Sequence, residues 1–490
     1  MADRMLPSFR TGLRRRFLLE AGAGFSGLAL TGLLEKDGFF ASAAGPADSR
    51  PLAPKPAHRK GAKACIFLYM YGGPSQMDLF DYKPELQKRD GQEIELEIRR
   101  RSLQKQTLLG SKRTFRQHGQ SGLWISDALP KLAAHADELA VVKSLWADSF
   151  AHGSANLQMN TGRILQGHPA LGSWLSYGLG SENDNLPGFV VMLDPRGGPI
   201  PGAANWAAGY MPSAYQGTVF RSAGEAIPAL DPPAGVTRGM QRDGVDTLAA
   251  LNRIHADART ATGDLEARVA AYELGFQLQA SGPELLDLSD ESPATLAAYG
   301  LFEKKGAHPL SLGPAPFGRQ CLVARRLVER GVRFVQIYSG GGHQQQNWDA
   351  HNGVEENLTI HAPEIDQPIA ALLADLKARG LLDETLVVWG GEFGRTVYGQ
   401  GGLQDDYGRD HHGRCYSVWM AGGGIRPGVV HGATDDYGYN ILRDPVHVHD
   451  LNATLLHCLG YDHKRLTYRF QGRDYRLTDV EGNVVKEILA

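Results

Sequence analysis

The fold is decided by residues 331–352, which read GVRFVQIYSGGGHQQQNWDAHN, and by a later stretch at 385–396, TLVVWGGEFGRT. Each stretch begins with a short apolar run that is typical of a buried β-strand, and glycines end the run. Acidic or imidazole side chains follow at once. Ligands in open α/β sheets bind beyond the carboxyl ends of the strands, so both stretches predict a site at one edge of a sheet.

A third apolar run, ACIFLYMY at 64–71, ends in a Gly-Gly pair and predicts another strand buried on both faces. From Arg319 onward, helical and strand patterns alternate, which indicates an α/β fold with a mainly parallel sheet and helices on both faces. We therefore expect the strands that end at Tyr71, Tyr338 and Trp389 to lie in one sheet, with their carboxyl ends on one edge.

Residues 63–480 are predicted to form a single large domain, which suits a chain of 490 residues. Within it, residues 185–220 are rich in Gly, Pro and aromatic residues, look too irregular for the core of the sheet, and indicate binding loops. An insertion is therefore expected at about 185–313. The Pro-rich residues 44–62 lack apolar periodicity for most of their length and are typical of an extended linker.

The N-terminus indicates export. The sequence RRRFL at 14–18 fits a twin-arginine signal, and it precedes a weakly apolar stretch at 21–34 and an A-x-A site that ends at Ala43. That stretch is shorter than the ~20 residues that a transmembrane helix needs. Residues 1–43 are therefore predicted to be a removed twin-arginine signal peptide, with no membrane span in the mature chain. The expected location is the periplasm or the medium.

Charge and cysteine content exclude several classes of function. The chain carries 51 Lys and Arg against 54 Asp and Glu, a formal net charge of −3, whereas a nucleic-acid-binding domain would be basic. Its four cysteines lack the C-x-x-C spacing of a zinc knuckle or a thioredoxin motif. Cys65, Cys415 and Cys458 each lie in an apolar run. The apolar surroundings favour buried free thiols. A disulfide is the alternative if the compartment is oxidising.

Acid and imidazole residues after the strand ends are the candidate metal ligands. They are Asp349, His351, Glu392, His411 and His412, with Asp78 as a sixth after the first strand. Mixed imidazole and carboxylate ligands predict a divalent metal ion, and they suit Zn or Mn better than Ca. We expect the first five to converge on one or two ions. Asp78 fits equally well as a carboxylate that stabilises a helix N-terminus.

A fourth candidate segment is AHGSAN at 151–156, which precedes a helical pattern. His152 and Ser154 would lie where a helix N-terminus presents free backbone N–H groups, a natural seat for a sulfate or phosphate oxyanion. A simple Ser cap of the helix explains the same pattern.

Taken together, the motifs resemble the exported, sulfatase-like family known as domain of unknown function 1501, within the alkaline phosphatase and sulfatase superfamily. The resemblance covers nearly all of the mature chain, and its motifs include GGPSQMDLFD, QMNTGR, RQCLVARRLVERGVRFVQ, LVVWGGEFGRT, GRDHH and DPVHVHDLNATLLHCLG. It implies an alkaline phosphatase-like three-layer sandwich with a mainly parallel sheet and a loop and helix insertion.

The sequence also departs from that superfamily. When the TGR at 161–163 is aligned with the sulfatase motif, the Cys that sulfatases convert to formylglycine falls on His152, and the Arg of that motif falls on Asn156. The strand-end Asp-Gly of the superfamily is a Gly-Gly pair here, and its late Asp-His pair becomes Glu392-Phe393. The sulfatase nucleophile is therefore absent.

Two functions follow as hypotheses. The first is an exported metal-dependent hydrolase of sulfate or phosphate esters, in which water or Ser154 attacks and Arg395 or Arg409 holds the anion. Its substrate would be an anionic small molecule or a glycan ester. The second is a non-catalytic exported protein that uses the same fold to bind a glycan or a protein partner.

Overall fold

A nine-stranded sheet forms the centre of the fold. A computed structural model of the chain describes residues 61–98, 102–183, 185–221, 226–227, 232, 235–257, 263–399 and 407–490. The strands of this sheet are β1 (Ala64–Met70), β2 (Ala140–Trp146), β3 (Phe189–Met192), β4 (Thr218–Phe220), β5 (Phe334–Ser339), β6 (Thr385–Gly390), β7 (Tyr416–Gly422), β8 (Val429–His431) and β9 (Val446–His447). The predicted signal peptide, and the predicted linker apart from its end, lie outside the described residues.

The strand order is β8-β2-β7-β6-β1-β5-β3-β4, and β9 also pairs with β2. Every pair is parallel except the two that β7 makes with β6 and β2. In the register, Tyr69 of β1 lies opposite Tyr338 of β5 and Gly390 of β6. The three strands thus end together on one edge, which confirms the prediction of a mainly parallel sheet.

Alternate residues of β1 face two separate hydrophobic cores. Ile66 and Leu68 pack into one core, whereas Phe67 and Tyr69 pack into the other. This alternation follows from the two-residue period of a strand. Because both faces are covered, the whole of β1 is apolar, as the sequence predicts.

Helices cover both faces and complete three layers. They are α1 (Gln76–Leu79), α2 (Pro84–Lys88), α3 (His152–Thr161), α4 (Leu171–Leu179), α5 (Arg238–Asp257), α6 (Gly263–Leu286), α7 (Pro293–Ala298), α8 (Ala315–Glu329), α9 (Val354–Ala378) and α10 (Val448–Cys458). Apolar residues of α8 and α9 belong to the core that contains Ile66, and those of α4 and α10 belong to the core that contains Phe67.

Short elements connect these layers. Five two-stranded sheets pair Glu93–Ile98 with Ser102–Thr107, Phe115–His118 with Leu123–Ser126, Gly394–Arg395 with His411–His412, Ala433–Thr434 with Ile441–Arg443, and Tyr468–Phe470 with Arg473–Tyr475. Short 3-10 helices lie at Leu132–Glu138, Gly202–Trp206, Ser213–Tyr215, Gln344–Gln346, Leu382–Glu384 and Lys486–Ile488. As far as they are described, Leu52–Tyr468 and Tyr475–Ala490 form one compact unit, and Arg469–Asp474 is grouped apart from it.

Residues 185–220 supply part of the sheet. They form β3 and β4, which pair with β5 and with each other, although the sequence predicts this segment to be too irregular for the core of the sheet. The two strands are only four and three residues long and lie at the end of the sheet. The Gly and Pro residues lie mainly between them. Such short strands are hidden in sequence by the loops around them.

All four cysteines are free and buried, as predicted. Burial raises the pKa of Cys458 to about 12, so this thiol is unreactive at neutral pH. Within the described residues, no helix has both the length and the apolar character that crossing a bilayer requires.

Candidate metal centre

Loops beyond the carboxyl ends of β2, β5 and β6 bring five acid and imidazole side chains together. The strand-edge cluster consists of His152, Asp349, His351, Asp410 and His411. The five form two overlapping groups that share His411, and the ligand atoms of each group lie within 4.8 Å of one another. His152 is the first residue of α3, and His411 begins a short strand beyond β6. Four of the five are candidate site residues named above, and Asp410 belongs to the same predicted Asp-His-His run at 410–412.

The centre of the cluster is a triangle of three atoms that can act as metal ligands. Nε2 of His351 and Nε2 of His411 are 2.9 Å apart, and they lie 3.2 Å and 3.0 Å from Oδ1 of Asp349. Ligands on a tetrahedral ion with bonds of about 2.0 Å are separated by roughly 3.3 Å. The three side chains are therefore spaced as the ligands of one transition-metal ion would be.

His152 approaches this triangle from α3 and is oriented by Glu392. Its Nδ1 lies 2.7 Å from Oε1 of the fully buried Glu392 carboxylate. The buried Nε2 lies 3.2 Å from Oδ2 of Asp349, outside hydrogen-bonding alignment and without another partner. A carboxylate that orients an imidazole in this way is a regular feature of metal sites. Glu392 thus supports the cluster from behind.

Burial and neighbouring charges set the protonation of the cluster. Burial lowers the pKa of His411 to about 4 and also lowers the pKa of His351. Burial alone would raise the pKa of Asp349, but the charge of Arg395 outweighs it and holds the pKa well below its usual range. At neutral pH, two imidazoles are neutral and the carboxylate is ionised, which is the state that metal binding requires.

The protonation of His152 differs from that of the other histidines. Burial would lower its pKa, but the carboxylates of Asp349 and Glu392 outweigh burial and raise the pKa to about 9. A proton on both ring nitrogens, or a cation beside Nε2, would balance these two carboxylates. The donor set of the cluster therefore fits a divalent ion.

Gly72 allows the loops to meet. Its φ is +114°, and a Cβ there would lie 2.5 Å from the backbone nitrogen of Asp349. Its own N–H donates to Oε1 of Glu392 at 2.9 Å. Any side chain at this position would therefore collide with the Asp349 loop.

Asp78 and Arg409 bind each other away from the cluster. Both side chains are fully buried, and Nε of Arg409 lies 2.7 Å from Oδ2 of Asp78. Burial alone would raise the pKa of Asp78, but Arg409 outweighs it and lowers the pKa. Asp78 thus neutralises a buried guanidinium and lies in none of the possible metal groups of the described residues.

Arg395, like Arg409, is buried and binds other groups of the protein. This fully buried guanidinium donates to the carbonyls of Gly72, Gly73, Trp348 and Arg409 and, at 2.7 Å, to Oδ1 of Asp349. Contrary to the expectation that Arg395 or Arg409 holds an anion, both are bound to the protein itself. Arg395 fastens the ends of three loops and positions Asp349.

His412 and Ser154 lie apart from the triangle. Nε2 of His412 donates to the carbonyl of Tyr439 at 2.7 Å, the two rings stack, and burial lowers the pKa of His412 to about 4. Oγ of Ser154 lies 2.6 Å from Oγ of Ser149. Neither His412 nor Glu392 belongs to a metal group found among the described residues.

A cleft of about 780 Å³ has His411 on its wall. Other lining residues include Trp146, Asp148, Ser149, Phe150, Tyr398, Arg414 and Tyr439. Its volume lies within the range of about 300–1,000 Å³ that is usual for ligand sites. Arg414 is exposed and supplies a cation that the sequence interpretation missed. Arg414 follows the candidate ligand His412 by two residues, and this spacing could have marked it as a site residue.

The fold and this site define an α/β protein with a candidate histidine and carboxylate metal centre beyond its sheet edge. More specifically, the chain belongs to the family described as "Protein of unknown function (DUF1501)", whose sequence model matches residues 62–489. No curated protein sequence matches the chain.

Several solved structures are similar to the chain. A TAB5 alkaline phosphatase mutant with Mg bound in its M3 site is 11% identical over 82% of this chain and 98% of its own, with a TM-score of 0.32. The PsFucS1 sulfatase from Pseudoalteromonas sp. is 14% identical over 68% and 62%, with a TM-score of 0.32. The C-terminal periplasmic domain of EcEptC from Escherichia coli, in complex with Zn, is 9% identical over 85% and 88%, with a TM-score of 0.37. The first two are an alkaline phosphatase and a sulfatase.

Proposed function

We propose that this protein is a metal-dependent hydrolase of sulfate or phosphate esters and that the strand-edge cluster is its metal centre. The observation that carries the proposal is the triangle of ligand atoms from Asp349, His351 and His411, with sides of 2.9 to 3.2 Å, one member of which lies on the wall of the cleft. Zn or Mn suits this donor set better than Ca, which prefers oxygen ligands.

The ion would supply Lewis acidity toward the oxygens of an anionic ester. The residues of the chain supply the rest. Arg395 holds Asp349 in place, and Glu392 holds the Nδ1 proton of His152, so the Nε2 of that ring stays directed at the cluster. Fixed ligands of this kind preserve a catalytic geometry without reorganisation. The aromatic contact of Phe393 with the His411 ring, at 4.4 Å between centroids, shields the same site from one side.

The cleft supports an anionic substrate with a flat apolar or sugar face. Arg414 lines it and can pair with a sulfate or phosphate, in place of the buried guanidinium groups of Arg395 and Arg409. The hydroxyl of Ser149, 2.6 Å from that of Ser154, offers a further polar contact. Aromatic residues such as Trp146 can stack on a sugar ring or an aryl leaving group.

A non-catalytic binding protein is the second candidate. It is favoured by His152, which stands where the resembling sulfatases carry their nucleophile and whose ring lies between Glu392 and Asp349. A protein of this type would bind a sulfated or phosphorylated glycan in the cleft without cleaving it.

Hydrolysis of 4-nitrophenyl phosphate and 4-nitrophenyl sulfate by the zinc- and manganese-loaded protein separates the two functions. We expect metal-dependent release of 4-nitrophenol by the wild type, at least about 100-fold lower in His411→Ala because a ligand is lost. His343→Ala is the matched control, since it removes an exposed histidine from the loop between β5 and α9. Saturable binding of a sulfated oligosaccharide with no hydrolysis by the metal-loaded wild type would contradict the hydrolase and favour the binding protein.

Export through the twin-arginine route belongs to the same proposal and rests on RRRFL at 14–18. Replacing Arg14 and Arg15 with lysine should trap unprocessed precursor in the cytoplasm, as fractionation and immunoblotting would reveal. Normal accumulation of the processed double variant outside the cytoplasm would overturn the proposed route. Because that route carries folded proteins, the metal would be acquired before export.

A further inference from the structure

A second group of histidines lies at the start of α10, separate from the strand-edge cluster. The α10 cluster consists of His447, His449 and Glu481, and their ligand atoms lie within 4.8 Å of one another. Both histidines are buried, and Glu481 is exposed. We propose that these three residues bind a second divalent transition-metal ion.

The hydrogen bonds of His449 show which of its ring nitrogens faces the cluster. Its Nε2 lies 2.7 Å from the carbonyl oxygen of Gly162, and a carbonyl can only accept, so Nε2 carries a proton. In a neutral ring, Nδ1 then presents a lone pair. That lone pair lies 3.3 Å from Oε2 of Glu481, which also can only accept when ionised. Two acceptors at this distance need either a proton on Nδ1 or a metal ion that both atoms bind.

His447 brings a second ring nitrogen near the same carboxylate, and a metal ion there would replace the backbone N–H as the partner of its lone pair. Its Nδ1 accepts a long hydrogen bond from the backbone N–H of His449, at 3.3 Å, and lies 4.0 Å from Oε2 of Glu481. Its Nε2 lies 3.3 Å from Oδ2 of Asp148 and 3.4 Å from Nε2 of Gln158, and the tautomer with Nδ1 free of a proton places a proton on Nε2, directed at Asp148. The far nitrogen of each imidazole is therefore held by an oxygen, which is the usual support of a metal-binding histidine.

The ligand types indicate the class of ion. Two imidazoles and one carboxylate suit Zn²⁺ or a similar transition metal, whereas Ca²⁺ takes oxygen ligands. The exposed side chain of Glu481 leaves coordination positions open to water. Such an ion would link the segment after Arg473–Tyr475, which contains Glu481, to the start of α10. The hydrogen bond from His449 to the carbonyl of Gly162 would extend this link to the end of α3.

A protonated His449 paired with Glu481 would satisfy part of this geometry without a metal, and a zinc titration separates the two cases. Metal-depleted full-length protein would be titrated with ZnCl₂ by isothermal calorimetry, with the bound zinc counted by elemental analysis. The wild type should bind one more equivalent than Glu481→Gln, a change at an exposed position that leaves the fold intact.

Two further variants keep the test decisive. His449→Gln should also lose this equivalent, and Glu487→Gln, which removes an exposed carboxylate from the same C-terminal segment, should keep it. Equal zinc stoichiometry in the wild type and Glu481→Gln, with affinities within about twofold, would overturn the second site. Since Glu481→Gln leaves Asp349 and His411 intact, this result is independent of the proposed hydrolase.

Discussion

The strand-edge cluster and the α10 cluster contain the same ligand types on different supports. Ligands of the first come from loops beyond three strands, and a fully buried Glu392 orients one of them. Ligands of the second come from two positions at one helix start and from a carboxylate that is 65% exposed. Rigidly held ligands beside a cleft suit catalysis, because they keep their geometry without reorganisation. The two clusters therefore have the same ligand types and differ in how deeply the residues that hold those ligands are buried.

Asp349→Asn should have the largest effect and the sharpest contrast between the two sites. It removes a ligand and leaves the buried Arg395 without its carboxylate partner. We expect the strand-edge zinc and at least about 100-fold of any hydrolysis to be lost, while the zinc of the α10 cluster stays. Elemental analysis and the nitrophenyl assays measure both. Unchanged hydrolysis by Asp349→Asn would contradict this contrast, because it would show that the activity does not depend on the strand-edge cluster.

Asp78→Asn tests whether the buried ion pair is scaffold rather than site. Removing one partner of a fully buried pair costs about 3–5 kcal/mol of the free energy of unfolding. Urea denaturation should detect this loss, and the zinc content of the folded variant should match the wild type. Loss of zinc from a variant that stays folded would return Asp78 to the metal centre.

The stability difference between the wild type and Asp78→Asn should depend on pH, because the pKa of Asp78 is lowered in the folded wild type. Its folded pKa lies below the ordinary value near 3.9, so its stabilising contribution is complete above about pH 4 and is lost as the pH falls through the folded pKa. The stability difference between the wild type and Asp78→Asn should therefore be constant above that pH and shrink below it. A difference that grows on acidification would contradict the ion pair.

Glu392→Gln should have a smaller and more specific effect. The amide keeps the size of the side chain but weakens the orientation of His152, so zinc affinity at the strand edge should fall about 10- to 100-fold. The matched surface change, Glu481→Gln, should leave this affinity unchanged. Competition with a chromophoric chelator measures both variants, and equal affinities would show that Glu392 does not support the cluster.

Strand ends were predictable because apolar runs and glycines mark them, and this rule led to Asp349, His351 and His411, whereas His152 was predicted from its place at a helix start. The roles of neighbouring residues were not. Adjacent side chains of a strand point to opposite sides, so His411 joins the cluster whereas His412 stacks on Tyr439.

Contacts between residues that are distant in sequence could not be predicted either. Asp78 and Arg409 are 331 positions apart, and only the folded chain shows that they neutralise each other. Arg395 looked like an anion-binding residue because burial is not visible in sequence. The α10 cluster could not be predicted because Glu481 follows His449 by 32 positions, outside any short motif.

The most direct test of the account is anomalous X-ray diffraction at the zinc edge from crystals of the zinc-loaded full-length protein. The account predicts an anomalous peak about 2.0–2.2 Å from Nε2 of His411 and from a carboxylate oxygen of Asp349. Crystals grown in zinc that show no peak within the strand-edge cluster would contradict it.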